Sequence, residues 1–171
     1  MKTNLDDFSM VAVDNLLYTI GGEPLQKERH LHDEDSSRTI RVLDHRSSSK
    51  WQELSARSFG SYSSSNTCSC AHNTKIYVCK DAKLEVYDTV AGKWVKLRSL
   101  AEQQETYQLI SFENWLWAIG KSHAGLELIV QTYDPSTGNW ISVPSLRKIN
   151  SAETRDGTYF ESAVIFKTLD M

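Results

Sequence analysis

Three tryptophans at a near-constant interval constrain this chain more than any other feature. Trp51, Trp94 and Trp140 stand 43 and 46 residues apart. Each follows, by six or seven residues, an Asp that ends a strand-like run: Leu43-Asp44, Tyr87-Asp88 and Tyr133-Asp134. Ahead of each Asp–Trp pair lie two short apolar runs separated by an Asn-bearing turn, at Asp14-Asn15, His72-Asn73 and Glu113-Asn114. A unit of this length carrying four short strands predicts a propeller-type blade.

The expected strands run 8–13, 16–20, 39–44 and 51–54 in the first unit, then 64–70, 75–79, 84–88 and 94–97. The third unit has them at 107–112, 115–119, 127–133 and 140–143. Asn at each hairpin turn tolerates the positive φ a tight reversal needs. The clusters Asp88-Thr89-Val90-Ala91-Gly92-Lys93 and Asp134-Pro135-Ser136-Thr137-Gly138-Asn139 mark turns just before Trp. No window shows sustained helical periodicity. Segment 145–158 is polar, and Tyr159–Phe166 reads as one further strand. The fold class expected is all-β: a partial β-propeller of three four-stranded blades (8–54, 64–97 and 107–143) plus an extra closing strand, in one region spanning 1–171. Three blades leave two apolar end faces, because each blade buries itself against two neighbours. Such faces call for further blades, a second copy or an open assembly.

The order of these marks resembles the kelch repeat. Its blade has an inner strand, a strand ending in an aromatic and a Gly pair, a variable loop, a Tyr-Asp strand, a turn and then Trp. Here the aromatic is Tyr18, Tyr77 and Trp117, and the third-strand Tyr is Leu43, Tyr87 and Tyr133. The Gly pair is intact as Gly21-Gly22 and reduced to Cys79-Lys80 and Gly120-Lys121. The resemblance covers about Phe8 to Phe166 and implies the C-terminal part of a kelch propeller, with Tyr159–Phe166 as the ring-closing strand.

Composition excludes several classes. A net charge of −3 gives no basic footprint for nucleic acid. No run approaches the ~18 apolar residues of a membrane span, and the acidic N-terminus carries no signal core. Three Cys, without a disulfide-framework spacing, suit a reducing cytoplasmic or nuclear setting.

No catalytic motif is present: no Gly-x-Ser-x-Gly, no His-Glu-x-x-His and no phosphate-cradling Gly-rich loop. His30 and His32, beside Asp33, Glu34 and Asp35 in the long insertion 23–38, have zinc-type donors but no fixed geometry, so neither a metal nor a cofactor is expected. Cys68 and Cys70 fall on one face of a strand, too parallel for a disulfide with each other, and read as small buried hydrophobes. A Trp that recurs once per unit is expected to be a packing peg between neighbouring blades.

The resemblance implies a protein-interaction module without enzymatic activity, such as the substrate-recognition part of a cullin-type ubiquitin ligase adaptor. Other roles known on the scaffold are actin binding and two enzymes, an oxidase and a sugar-acid isomerase; a degenerate fragment is a further reading. Kelch partners bind one rim, made by second-to-third-strand loops and blade links. The residues there are Arg29, His30, Arg57, Tyr62, Lys80, Lys83, Arg98, Lys121, His123 and Arg147. Arg57, Arg98 and Arg147 recur once per link, and Arg matches carboxylates bidentately, so the expected partner is a protein or peptide with an acidic motif.

Overall fold

A computed structural model describes residues 5–24, 39–44, 46–47, 50–57, 67–80, 82–102, 104–122 and 128–143. All regular structure among them is antiparallel β. The first sheet is β1 (Leu5–Val13), β2 (Leu16–Pro24), β3 (Thr39–Leu43) and β4 (Gln52–Arg57). The second is β5 (Cys68–His72), β6 (Lys75–Lys80), β7 (Lys83–Asp88) and β8 (Lys93–Lys96). The third is β9 (Gln104–Phe112), β10 (Trp115–Ser122), β11 (Leu128–Asp134) and β12 (Asn139–Val143). Each is a four-stranded meander in sequence order. The three form a blade-like, open arrangement, with β5 between β1 and β9. The expected closing strand 159–166 lies outside the described residues.

The hairpins explain the strand limits. Val13 pairs with Leu16, His72 with Lys75 and Phe112 with Trp115. Each reversal therefore has two central residues, and the first adopts positive φ: Asp14 (48°), Asn73 (54°) and Glu113 (52°). Asn15 also does so at 65°. The third turn thus departs from expectation, since Glu113 takes the left-handed conformation and Asn114 does not. The second is centred on Asn73-Thr74, which carries β5 on to His72.

The recurring Asp has a local cause. Asp88 Oδ1 accepts from the N–H groups of Val90 (3.0 Å) and Ala91 (2.8 Å), and Gly92 N–H closes on Asp88 O at 2.8 Å. Asp134 repeats this with Ser136 N–H (2.8 Å) and Gly138 N–H (2.8 Å), adding the Ser136 and Thr137 hydroxyls. Asp44 accepts from Arg46 N–H and the Ser47 hydroxyl at 3.0 and 2.7 Å. A short carboxylate that caps its own turn fixes the β3–β4-type hairpin and so sets where the Trp falls. These donors hold the Asp88 carboxyl, through Ala91 N–H foremost, and the Asp134 carboxyl, through the Ser136 hydroxyl foremost, below the usual range.

Two apolar layers hold the sheets together. Val11, Val13, Tyr18, Ile20 and Ile40 of the first sheet meet Ile76, Val78, Tyr87 and Trp94 of the second. On its other face the second sheet presents Tyr77, Cys79, Leu84 and Val86 to Leu109, Leu116, Ala118 and Tyr133 of the third. Each fully buried aliphatic contributes about 1.5–3 kcal/mol. The second sheet is therefore apolar on both faces, and β6 shows it as four consecutive buried residues, Ile76–Cys79.

Candidate functional site: the sheet junctions and the loop rim

Both junctions use one device. Tyr18 lies against Tyr87 with ring centroids 6.5 Å apart, and Tyr77 against Tyr133 at 6.4 Å. Behind each receiving Tyr stands its indole: Trp94 at 5.3 Å from Tyr87, Trp140 at 5.1 Å from Tyr133. Between inner strands, the Ser9 hydroxyl bonds that of Ser69 at the first junction, and His72 Nδ1 bonds Ser111 Oγ at 2.9 Å at the second. Burial pushes all four phenols up, Tyr77 to about 12. The indoles differ in depth. Trp94 is buried at 7% exposure, whereas Trp140 is only partly covered, contrary to expectation. Its ring rests against the second core while Nε1 donates to Arg98 O at 3.1 Å. Trp51, on the first sheet with no described sheet beyond it, is also half-buried.

The link from the second to the third sheet is clipped on both sides. Leu97 N–H donates to Leu84 O (3.0 Å) and Leu100 N–H to Ala82 O (2.9 Å). The fully buried Gln131 amide accepts from Glu102 N–H at 3.0 Å and donates to Glu102 O at 2.9 Å. An internal amide pair of this kind satisfies backbone groups that strands cannot reach.

The cysteines gather at the second junction. Cys68 pairs with Cys79 across the β5–β6 ladder, with Sγ 3.7 Å from Cys79 O, and Cys70 follows on the same face. Contact with Cys79 raises the Cys68 thiol, and burial raises Cys70 to about 12. High thiol pKa values mean little thiolate and low reactivity. The Cys68–Cys79 apposition was legible, since both residues stand equally far from the Asn73-Thr74 turn. The sequence expectation concerns only Cys68 with Cys70, two residues on along the same strand face. Among the described residues, no three His, Cys, Asp or Glu side chains could hold a metal ion. No helix among them is long and apolar enough to cross a membrane.

Of the expected rim residues, Arg29, His30, Tyr62, His123 and Arg147 lie outside the described residues. Arg57 is the last residue of β4, paired with Thr39, rather than part of a link. Arg98 is exposed in its link, and its Nη1 donates to Asn139 Oδ1 of the third sheet at 3.2 Å. Lys80 and Lys83 face each other across the open end of the β6–β7 ladder. Lys121 pairs with Leu128 at the matching end of the third sheet. The loop end of these two sheets therefore carries three lysines.

No protein-family model matches the chain, and no curated protein matches it.

Proposed function

We propose that the chain is a kelch-type propeller segment serving as a protein-interaction module, whose loop rim takes an acidic peptide motif. The observation that carries this reading is the placement of Lys80, Lys83 and Lys121 at one end of two neighbouring sheets. Rigid sheets carrying connections at one rim are the usual setting for a binding face. The opposite end is committed to self-capping Asp turns. Kelch segments of cullin-type ligase adaptors receive substrate on this rim, and the proposal extends that role to this chain. Arg98 serves the junction through Asn139 and is the weaker candidate for contact.

Binding of a fluorescent Glu-rich peptide tests the reading. The wild-type chain should bind it, and affinity should fall as salt rises through the screening range. Replacing Lys80, Lys83 and Lys121 together by Glu should cost at least tenfold in affinity, with the far-UV spectrum unchanged. Undiminished binding by a folded triple variant would contradict the proposal.

A further inference from the structure

We propose that Cys68 and Cys79 are a reversible thiol–disulfide pair, oxidised by a small disulfide of the glutathione class, while Cys70 stays a thiol. The inference rests on the β5–β6 ladder and is independent of what the rim captures.

Three thiols cluster on the face that the second sheet turns toward the third. They allow three intramolecular pairings, and backbone geometry separates these. Cys68 and Cys79 are directly opposite in the antiparallel ladder. Opposite partners stand roughly 4.5–5.5 Å apart at Cα, inside the roughly 4.4–6.8 Å that a disulfide spans. Their side chains already meet. The Cys68 Sγ lies 3.7 Å from Cys79 O, and contact with the Cys79 thiol is the foremost cause of its raised pKa. Cys70 is opposite Tyr77, which makes it a diagonal neighbour of Cys79. Diagonal partners are roughly 7–8 Å apart, beyond that reach. Cys68 and Cys70 follow one another along one strand with side chains in parallel, which disfavours the third pairing.

Exposure gives the order of events. Cys79 is fully buried, whereas Cys68 is partly open. The Cys68 thiolate attacks one sulfur of the oxidant and cleaves its S–S bond, so that a mixed disulfide forms and one thiol leaves. The Cys79 thiolate then attacks the Cys68 sulfur and expels the second thiol. Two protein thiols thereby give up two electrons and two protons, which the oxidant carries away as two small thiols. Burial makes the first attack slow. The second is intramolecular, so the mixed disulfide does not accumulate.

The same geometry makes the bridge reversible. Opposite strand partners hold their Cβ atoms about 4.5–5.5 Å apart, wider than the ~3.5–4.5 Å of a relaxed disulfide. A bridge closed against that separation is the kind that thiols reduce readily. Cys68 and Cys79 are also the ladder pair farthest from the Asn73-Thr74 turn, one step from the Lys80–Lys83 pair at the loop end. Oxidation therefore ties the two strands where the hairpin alone holds them least.

Incubating the native chain with glutathione disulfide over hours, the scale of uncatalysed exchange, tests this. Remaining thiols are then alkylated in denaturant and tryptic peptides mapped. Ile76–Lys80 should be joined to the peptide carrying Cys68 and Cys70, with fragmentation placing the link on Cys68 and the alkyl group on Cys70. Excess reduced glutathione should restore three thiols. Cys70→Ala should form the same bridge, whereas Cys79→Ala should retain glutathione on Cys68 because nothing displaces it. Far-UV spectra check folding, and Cys68→Ala, which should form no bridge, replaces Cys79→Ala if that variant loses sheet signal. A link through Cys70, a link between two chains, or three alkylated thiols in the wild-type chain would overturn the proposal. So would a lasting mixed disulfide on wild-type Cys68. Loss of Glu-rich peptide binding with the bridge intact would count against the rim reading alone.

Discussion

The two sheet junctions are built alike at their repeated positions and differently everywhere else. Tyr18 on Tyr87 and Tyr77 on Tyr133 differ by 0.1 Å in ring separation, and each has an indole behind it. Around that frame the first junction is filled with Val11, Val13, Ile20 and Ile40, the second with Cys79, Leu84 and Leu100. At the second junction the indole is half-open, tied to Arg98 O, and Gln131 grips the link. Geometry is thus set by a few aromatic contacts, while the filling need only be apolar and of suitable volume.

The indoles give the largest way to break the comparison. Trp94→Ala should destabilise by about 3–5 kcal/mol, the cost of emptying a core aromatic. Trp140→Ala should cost clearly less, because its ring is partly in solvent already. Equal losses in chemical denaturation would show that burial depth does not distinguish the junctions.

Gln131→Ala sharpens it from the other side. The substitution leaves Glu102 N–H and C=O without their clip, at a cost of about 1–3 kcal/mol. Hydrogen exchange should quicken at Glu102 and Leu100 and leave the first junction unchanged. Uniform quickening over both junctions would contradict the local account.

The thiols belong to the second junction alone. Cys70, raised to about 12, and Cys68, raised by its contact with Cys79, carry little thiolate at pH 8. Native alkylation by iodoacetamide should be at least tenfold slower than in denaturant, where the ordinary value of about 8.5 applies. Matching native and denatured rates would place these thiols in water.

A smaller effect appears at alkaline pH. The buried phenols have folded pKa values above 10.0, with Tyr77 at about 12. The folded state therefore holds phenolic protons that the unfolded chain releases. The stability this confers is complete below pH 10 and declines from about 10 to 12. Denaturation midpoints should fall across that window, and Tyr77→Phe should flatten the decline. An unaltered slope in Tyr77→Phe would remove Tyr77 from the cause.

Much of this was readable in the chain, for identifiable reasons. Strand positions followed from alternation and from Asp turns whose capping is local, so β6, β7, β10 and β11 lie within a few residues of expectation. The two-sided burial of β6 was visible as Ile76-Tyr77-Val78-Cys79, an unbroken apolar run. The depth of Trp140 was not, because it depends on the link backbone at Arg98, forty-two residues away. Which turn residue takes positive φ also escaped composition, since Glu113 adopts it through the geometry of the β9–β10 ladder. At the rim, Lys80 and Lys83 were placed by counting outward from the hairpin, but Arg98 was not, because its partner Asn139 belongs to another sheet.

The central claim is that the two junctions are copies of one device. Double-mutant cycles, Tyr18→Ala with Tyr87→Ala and Tyr77→Ala with Tyr133→Ala, measure it directly. Couplings of about 0.5–1.5 kcal/mol are expected at both junctions, the range of tilted aromatic pairs, and equal within error. A coupling present at one junction and absent at the other would contradict it.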